Sequence, residues 1–277
     1  MKITKNELQY LAHKLRLKVL KMINKAGSSH VGSAFSIAEL LSVLYSEYLN
    51  ISPENVKDDD RDRFIMSKGH AVAILYAILS EKKFFPEDWL ETFYQNDTML
   101  AGHATAKNIP GIELSTGSLG HGLSVGCGMA YAGKLDKKNY KVVVMLSDGE
   151  CNEGSNWEAI LFAAHHKLNN LIVIVDYNKI QSLGHTSDIM EIEPFADKWR
   201  MFNWNTIEVD GHNIDEIRSC FKQFDNEQKK PSVMIAHTVK GKGVSFMEDT
   251  VLWHYRTPKG EEYENAIKEI NKLVNKI

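Results

Sequence analysis

Runs of apolar residues without polar alternation constrain this chain most. VVVMLS closes the segment Lys141–Ser147, LIVIVDY spans Leu171–Tyr177, and SVMIAH opens the segment Ser232–Thr238. Arg63–Ser67 and Asn205–Val209 are shorter β-type runs. A strand that is apolar on both faces must be covered on both, and alternation with helices makes the sheet parallel. Helical spacing fits residues 5–25, 69–81, 119–135, 155–167, 213–226 and a last segment after Pro258. Ser36-Ile37-Ala38-Glu39 has the form of a capping box opening a further helix through Leu40, Leu41, Leu44 and Tyr45. The expected fold is α/β, a mostly parallel central sheet flanked by helices on both faces.

In such folds ligands bind beyond the carboxyl ends of the strands. Two of those ends are polar in a suggestive way. One run stops on Ser147-Asp148-Gly149, and the next on Asp176-Tyr177-Asn178, one helix later. Asp148 offers a carboxylate and Asn178 an amide oxygen, both hard donors suited to Mg²⁺ or Ca²⁺. A cation held by so little protein charge calls for more oxygen ligands. A diphosphate would supply them, with free N–H groups of the helix beginning near Ser155 close by. The plainer reading makes both residues a cap and a turn.

Charge and cysteines narrow the classes. With 33 basic and 36 acidic residues the net charge is −3, so no global field invites nucleic acid or an anionic membrane. MKITKNELQYLAHK is too polar for a signal peptide, and no apolar run approaches membrane-spanning length. Cys127, Cys151 and Cys220 form neither a C-x-x-C pair nor an even set, which points to a reducing, cytoplasmic setting. The glycines at 120, 122, 126 and 128 miss the dinucleotide-binding spacing, and no strand directly precedes them; KGKGVS is not a P-loop.

The stretch from Asp148 to Asn178 resembles the thiamine diphosphate motif, with Ser147 where the first glycine is usual. Further segments resemble the transketolase family over nearly the whole chain. KAGSSHVGSAFSIAELLSVLY is similar to its N-terminal active-site segment, placing a histidine at His30. DRFIMSKGHAVAILYAIL places another at His70, AGHAT a third at His103, and HTVKGKG followed by WHYRTP a fourth at His254. GIELSTGSLGHGLSVGCGMA resembles the glycine-rich segment, with His121 in place of the usual glutamine; Tyr255 follows His254 where glycine is usual.

The resemblance implies one thiamine-diphosphate-binding domain over residues 1–277, with the pyrimidine-binding domain on another chain. Asp148, Asn178 and the carbonyl of Ile180 would ligate Mg²⁺, or Ca²⁺ or Mn²⁺ in its place. Gly117, Leu119, Gly149, His70 and His254 would touch the cofactor. His30, His70, His103 and His254 would handle sugar hydroxyl and carbonyl protons, as neutral imidazoles can near pH 7. Glu153 and Glu158 match acidic positions at the family's dimer interface. Glu153 would act in catalysis and cofactor activation by pairing with a glutamate of the partner; helix-start carboxylates are the alternative for both. The implied reaction moves a two-carbon ketol unit from a ketose phosphate to an aldose (phosphate). It needs a C-terminal transketolase partner chain, in an α2β2 assembly, and neither nucleic acid nor membrane. The rivals are a deoxyxylulose phosphate synthase-like half-enzyme, the α chain of a ketoacid dehydrogenase, and a non-catalytic cofactor-binding paralogue. His13, His165, His166, His185 and His212 are expected to be structural or solvated.

Overall fold

The computed structural model describes residues 3–276. In chain order it contains α1 (Lys5–Ala26), α2 (Val31–Phe35), α3 (Ala38–Val43), β1 (Arg63–Met66) and α4 (Val72–Glu81). There follow α5 (Gly122–Leu135), β2 (Val142–Ser147), α6 (Gly154–His165), β3 (Leu171–Tyr177), α7 (Thr186–Ile189) and α8 (Phe195–Met201). The chain continues with β4 (Asn205–Asp210), α9 (Ile214–Asn226), β5 (Ser232–His237) and α10 (Glu261–Val274). Short 3-10 turns at Gly69–Ala71, Gly149–Asn152 and Val251–His254 lie at the site described below.

All five expected strands form one sheet in the order β1-β2-β3-β5-β4, and every pairing is parallel. Side-chain alternation divides β1, β2, β3 and β5 between two cores. Phe64, Met66, Val143, Met145, Ile172, Ile174 and Met234 pack beneath α1, α3, α4, α9 and α10. Ile65, Val142, Val144, Leu146, Val173, Val175 and Val233 pack beneath α5, α6 and α8. Each such fully buried side chain stabilises the fold by ~1.5–3 kcal/mol. Neither face is left to water, as the unalternating runs require. Gly126 lets α5 lie directly on the sheet, since a Cβ there would stand 2.5 Å from Cγ2 of Val144. The glycine-rich stretch therefore includes a helix–sheet packing device, and α5 starts from a loop rather than from a strand. Among the described residues no helix is long and apolar enough to cross a membrane.

The connections fix where a ligand can enter. A right-handed crossover puts α6 and α8 on one face as the chain steps outward from β2 to β3 to β4. α9 lies on the other face because β5 steps back between β3 and β4. The chain leaving β3 therefore turns toward Phe195 and Trp199 of α8, whereas the chain leaving β5 turns toward Val244 and Met247 on the opposite face. Their divergence opens a crevice at the carboxyl edge.

One local reading is corrected. Ser36 and Glu39 do not form a capping box: α3 starts at Ala38 with no side-chain cap. The Ser36 hydroxyl donates to Asp176, and Glu39 pairs with Arg16. A capping box does start α1, where Thr4 and Glu7 exchange bonds.

Candidate active site

Asp148 and Asn178 meet at the carboxyl edge. Asp148 is buried, and its carboxylate accepts from the backbone N–H of Gly149 and from that of Lys179, the residue after Asn178. Asn178 donates Nδ2 to Asp176 at 2.8 Å, which turns Oδ1 the other way, toward the N–H of Ile180. Asp176 is a hub: it also accepts from Lys68, Thr238 and Ser36. Burial works to raise its carboxyl, but Lys68 and the two hydroxyls outweigh it and hold the group below its ordinary range. A second carboxylate, Glu150, ties three loops together. It accepts from Ser67 after β1, from Gly120 in the glycine-rich loop and from Ser147 at the end of β2.

Four imidazoles face this edge. His30 lies with its ring centroid 5.0 Å from His70, 5.1 Å from His254 and 6.2 Å from His103. Burial, with His103, Lys240 and Lys68 nearby, pushes His30 down to about 4. His70 is likewise depressed by burial and by Lys68, and its Nε2 stands 3.0 Å from the Ser33 hydroxyl. His254 is pushed to about 3 by burial and by Lys240, whose ammonium lies 2.8 Å from its Nδ1. Lys240 also donates to the Ile180 carbonyl at 2.8 Å. Burial and Lys68 lower that ammonium to about 8.

A cleft of about 380 Å³ gathers nearly every residue expected at the site: His30, His70, His103, Gly117, Leu119, Asp148, Gly149, Asn178, Ile180 and His254. Gly117 has a φ of +150°, and a Cβ there would stand 3.1 Å from the His103 ring. Ser147 and Tyr255, two of the departures from the family pattern, also line the cleft. Glu153 does not. It is exposed at the N-cap of α6, with its Cβ against Gly120, and Glu158 is exposed farther along that helix. His121 is exposed too, bonding the Leu119 carbonyl. The helix start at Gly154 and Ser155 does not reach the cleft; Gly149 and Glu150 of the preceding turn take that place. His13 and His212 are tied into a charged network, consistent with a structural role. Lys68, Lys240 and Glu150 escaped sequence reasoning, although each follows a strand by a few residues, and Asp176 was legible only as part of a polar strand end, without its role as a hub.

The donor set suits a hard cation and a polyanion. Burial and the nearby Asp176 charge push the Asp148 carboxyl up to about 7, and a bound cation would restore its ionisation. One carboxylate, one amide oxygen and one carbonyl are hard donors. Among the described residues no group of three or more His, Cys, Asp or Glu is placed to hold a metal. A cation held by those three oxygens alone would be under-coordinated, and further oxygens would have to complete its shell. His30 Nδ1 and Gln181 Nε2, both in the cleft lining, are buried without partners, so polar positions stand ready for a ligand.

Comparison with known proteins agrees with this geometry. Residues 8–271 match the family described as transketolase, thiamine diphosphate binding domain. The chain is 40% identical over 277 residues to an apulose-4-phosphate transketolase subunit of Phocaeicola vulgatus, covering 100% of this chain and 98% of that one. It is 41% identical over 266 residues to a 6-deoxy-6-sulfo-D-fructose transketolase subunit of a Clostridium species, covering 96% and 97%. The crystal structure of transketolase from Campylobacter jejuni superposes with a TM-score of 0.90 at 31% identity, over 99% of this chain but 43% of that one.

Proposed function

The chain belongs to the transketolase family through its thiamine-diphosphate-binding domain, and we propose that it is the N-terminal subunit of a two-chain transketolase. Residues 1–277 form one diphosphate- and metal-binding domain in this reading. The enzyme moves a two-carbon ketol unit from a ketose phosphate to an aldose or aldose phosphate. The relatives that match along their whole length carry the word subunit in their names, which supports a partner chain. That partner brings the pyrimidine pocket and the activating glutamate, in an α2β2 cytoplasmic assembly.

One observation carries the proposal: four clustered imidazoles share a cleft with the Asp148–Asn178 strand ends. Asp148, Asn178 and the Ile180 carbonyl hold Mg²⁺, and Ca²⁺ or Mn²⁺ can take its place. Gly117 and Gly149 let the backbone approach the diphosphate, while Leu119 presents an apolar surface. Thiamine diphosphate supplies, when bound, the carbon nucleophile that the reaction requires. His30, His70, His103 and His254 orient the sugar and exchange protons with its hydroxyl and carbonyl oxygens. The Lys240 ammonium adds positive charge where an alkoxide develops. Glu153, exposed beside Gly120, meets the partner's carboxylate across the interface.

Co-purification with the partner, followed by assay of two-carbon transfer over a panel of ketoses and aldoses, tests the reading. The assembly should turn over with thiamine diphosphate and Mg²⁺, and the chain alone should not. Turnover by the chain alone would refute the two-chain reading.

A further inference from the structure

Behind the cleft lies a buried charge network that the proposed reaction does not use. Arg16 and Glu39 are at most 1% exposed. They form a two-pronged pair, Nη1 to Oε1 at 2.7 Å and Nη2 to Oε2 at 2.6 Å. Arg16 also donates to the Phe35 carbonyl through Nε and Nη2. Burial would raise the Glu39 carboxyl, yet Arg16 and His212 hold it far below its ordinary range. It is an anion at every working pH.

His212 joins this pair to the sheet. Its Nδ1 stands 3.0 Å from Oε2 of Glu39, and its Nε2 accepts from the backbone N–H of Val239 at 2.9 Å. That donor lies just past the end of β5, beyond the last residue of β4, where no strand neighbour remains to accept it. The imidazole continues the ladder by one rung. An acceptor at Nε2 and a carboxylate at Nδ1 together fix the tautomer: the proton sits on Nδ1.

The next residue is Lys240, which bridges the Ile180 carbonyl and His254. We propose that Arg16, Glu39 and His212 act as a positioning relay that sets the end of β5 and so aims the Lys240 ammonium into the cleft. Other bonds share in fixing this segment, and Thr238 also donates its N–H to the Tyr177 carbonyl at 3.3 Å. Thr238 is held through its side chain to Asp176, and Gly241 donates to the Gly32 carbonyl at 3.0 Å. Between them, the Val239 carbonyl accepts from Lys242 within the same turn at 3.2 Å and the Lys240 carbonyl accepts from Asp249 at 2.9 Å, while the Val239 N–H bond to His212 joins this turn to the Arg16–Glu39 pair. Both ends of the Ser36–Glu39 segment thus support the site from behind, Ser36 through Asp176 and Glu39 through His212. The relay bears on the reading above only through its effect on cofactor affinity, since its geometry can be tested without any assay of turnover.

Nitrogen-15 spectra of the histidine rings in the full chain provide that test. His212 should show a protonated Nδ1 and an accepting Nε2. In His212→Ala the ring resonances of His254 should move. Affinity of the assembled enzyme for Mg²⁺ and thiamine diphosphate should weaken about tenfold, the usual size of an outer-shell loss. His212→Gln, whose amide can span the same two partners, should restore both. A proton on Nε2 in the native chain, or His254 resonances unmoved by His212→Ala, overturns the relay. If the alanine variant fails to fold, the native tautomer together with the glutamine variant decides. Native assembly that takes up no cofactor would instead defeat the functional reading, leaving the ring spectra to judge the relay.

Discussion

The ammonium of Lys240 donates to Nδ1 of His254 across 2.8 Å. A nitrogen that accepts cannot carry the proton, so His254 is protonated on Nε2 and offers a donor on its other side. Burial and Lys240 hold the ring at about 3, so it stays uncharged across the physiological range.

Replacing Lys240 by Met should therefore raise the His254 pKa. The removed positive charge had opposed the imidazolium, and the burial that remains should keep the ring below its ordinary 6.5. The acid limb of the pH–rate profile should move to higher pH, and an NMR titration of His254 measures the same change directly. A titration identical to that of the native chain would clear Lys240 of this effect.

Asp148 makes metal-free stability depend on pH. Its carboxyl is raised from 3.8 to about 7 by burial first and Asp176 second. A raised folded pKa means the contribution is full below the unfolded value and lost as pH climbs through the folded one. In chelator, the melting temperature should fall between about pH 4 and pH 7 through this group. Asp148→Asn should flatten that fall and abolish metal-dependent cofactor uptake. The stability at stake is a few kcal/mol at most, at about 1.4 kcal/mol for each tenfold change in proton affinity. Calorimetry across pH, with and without Mg²⁺, reads both effects.

Glu150→Gln should loosen three loops at once. An amide keeps one acceptor oxygen and turns an NH₂ toward either the Gly120 and Ser67 donors or the Ser147 N–H. Losing one bond to a charged acceptor costs about 1.5–3 kcal/mol. Urea denaturation should show a loss of that order, and cofactor retention should drop with it.

His30 adopts a left-handed backbone, with φ of 69°. His30 already bears the cost of a Cβ in that region, about 1–2 kcal/mol, which alanine would keep, whereas asparagine tolerates the conformation better. His30→Asn should keep the melting temperature and the cofactor while turnover falls by about 10²–10⁴. Unchanged turnover would remove His30 from the chemistry.

The strands were legible because burial on both faces leaves no polar alternation, and Val142–Ser147 and Leu171–Tyr177 form where those runs stand. Short α8 was not: Phe195 and Trp199 are its two buried anchors, too few to show a period. Asp148 and Asn178 could be singled out because they end strands one helix apart. Lys68 and Lys240 also follow strand ends within a few residues, yet a lysine in sequence reads as a solvated charge. Their burial appears only when Asp176 and the Ile180 carbonyl are brought to them by the sheet. The Ser36–Glu39 pattern misled for a related reason: the partners that claim these side chains, Asp176 and Arg16, are distant in sequence and outcompete the local backbone.

The parting of the chain after β3 and β5 has a consequence for how sugar preference can change. Strands that share a ladder stay about 4.8 Å apart, so the floor of the crevice is a gauge of fixed width. Tyr255, more than half exposed at the rim, rests on no such gauge. Evolution can reshape the entrance, or exchange the companion chain, while the anchoring floor stays as it is.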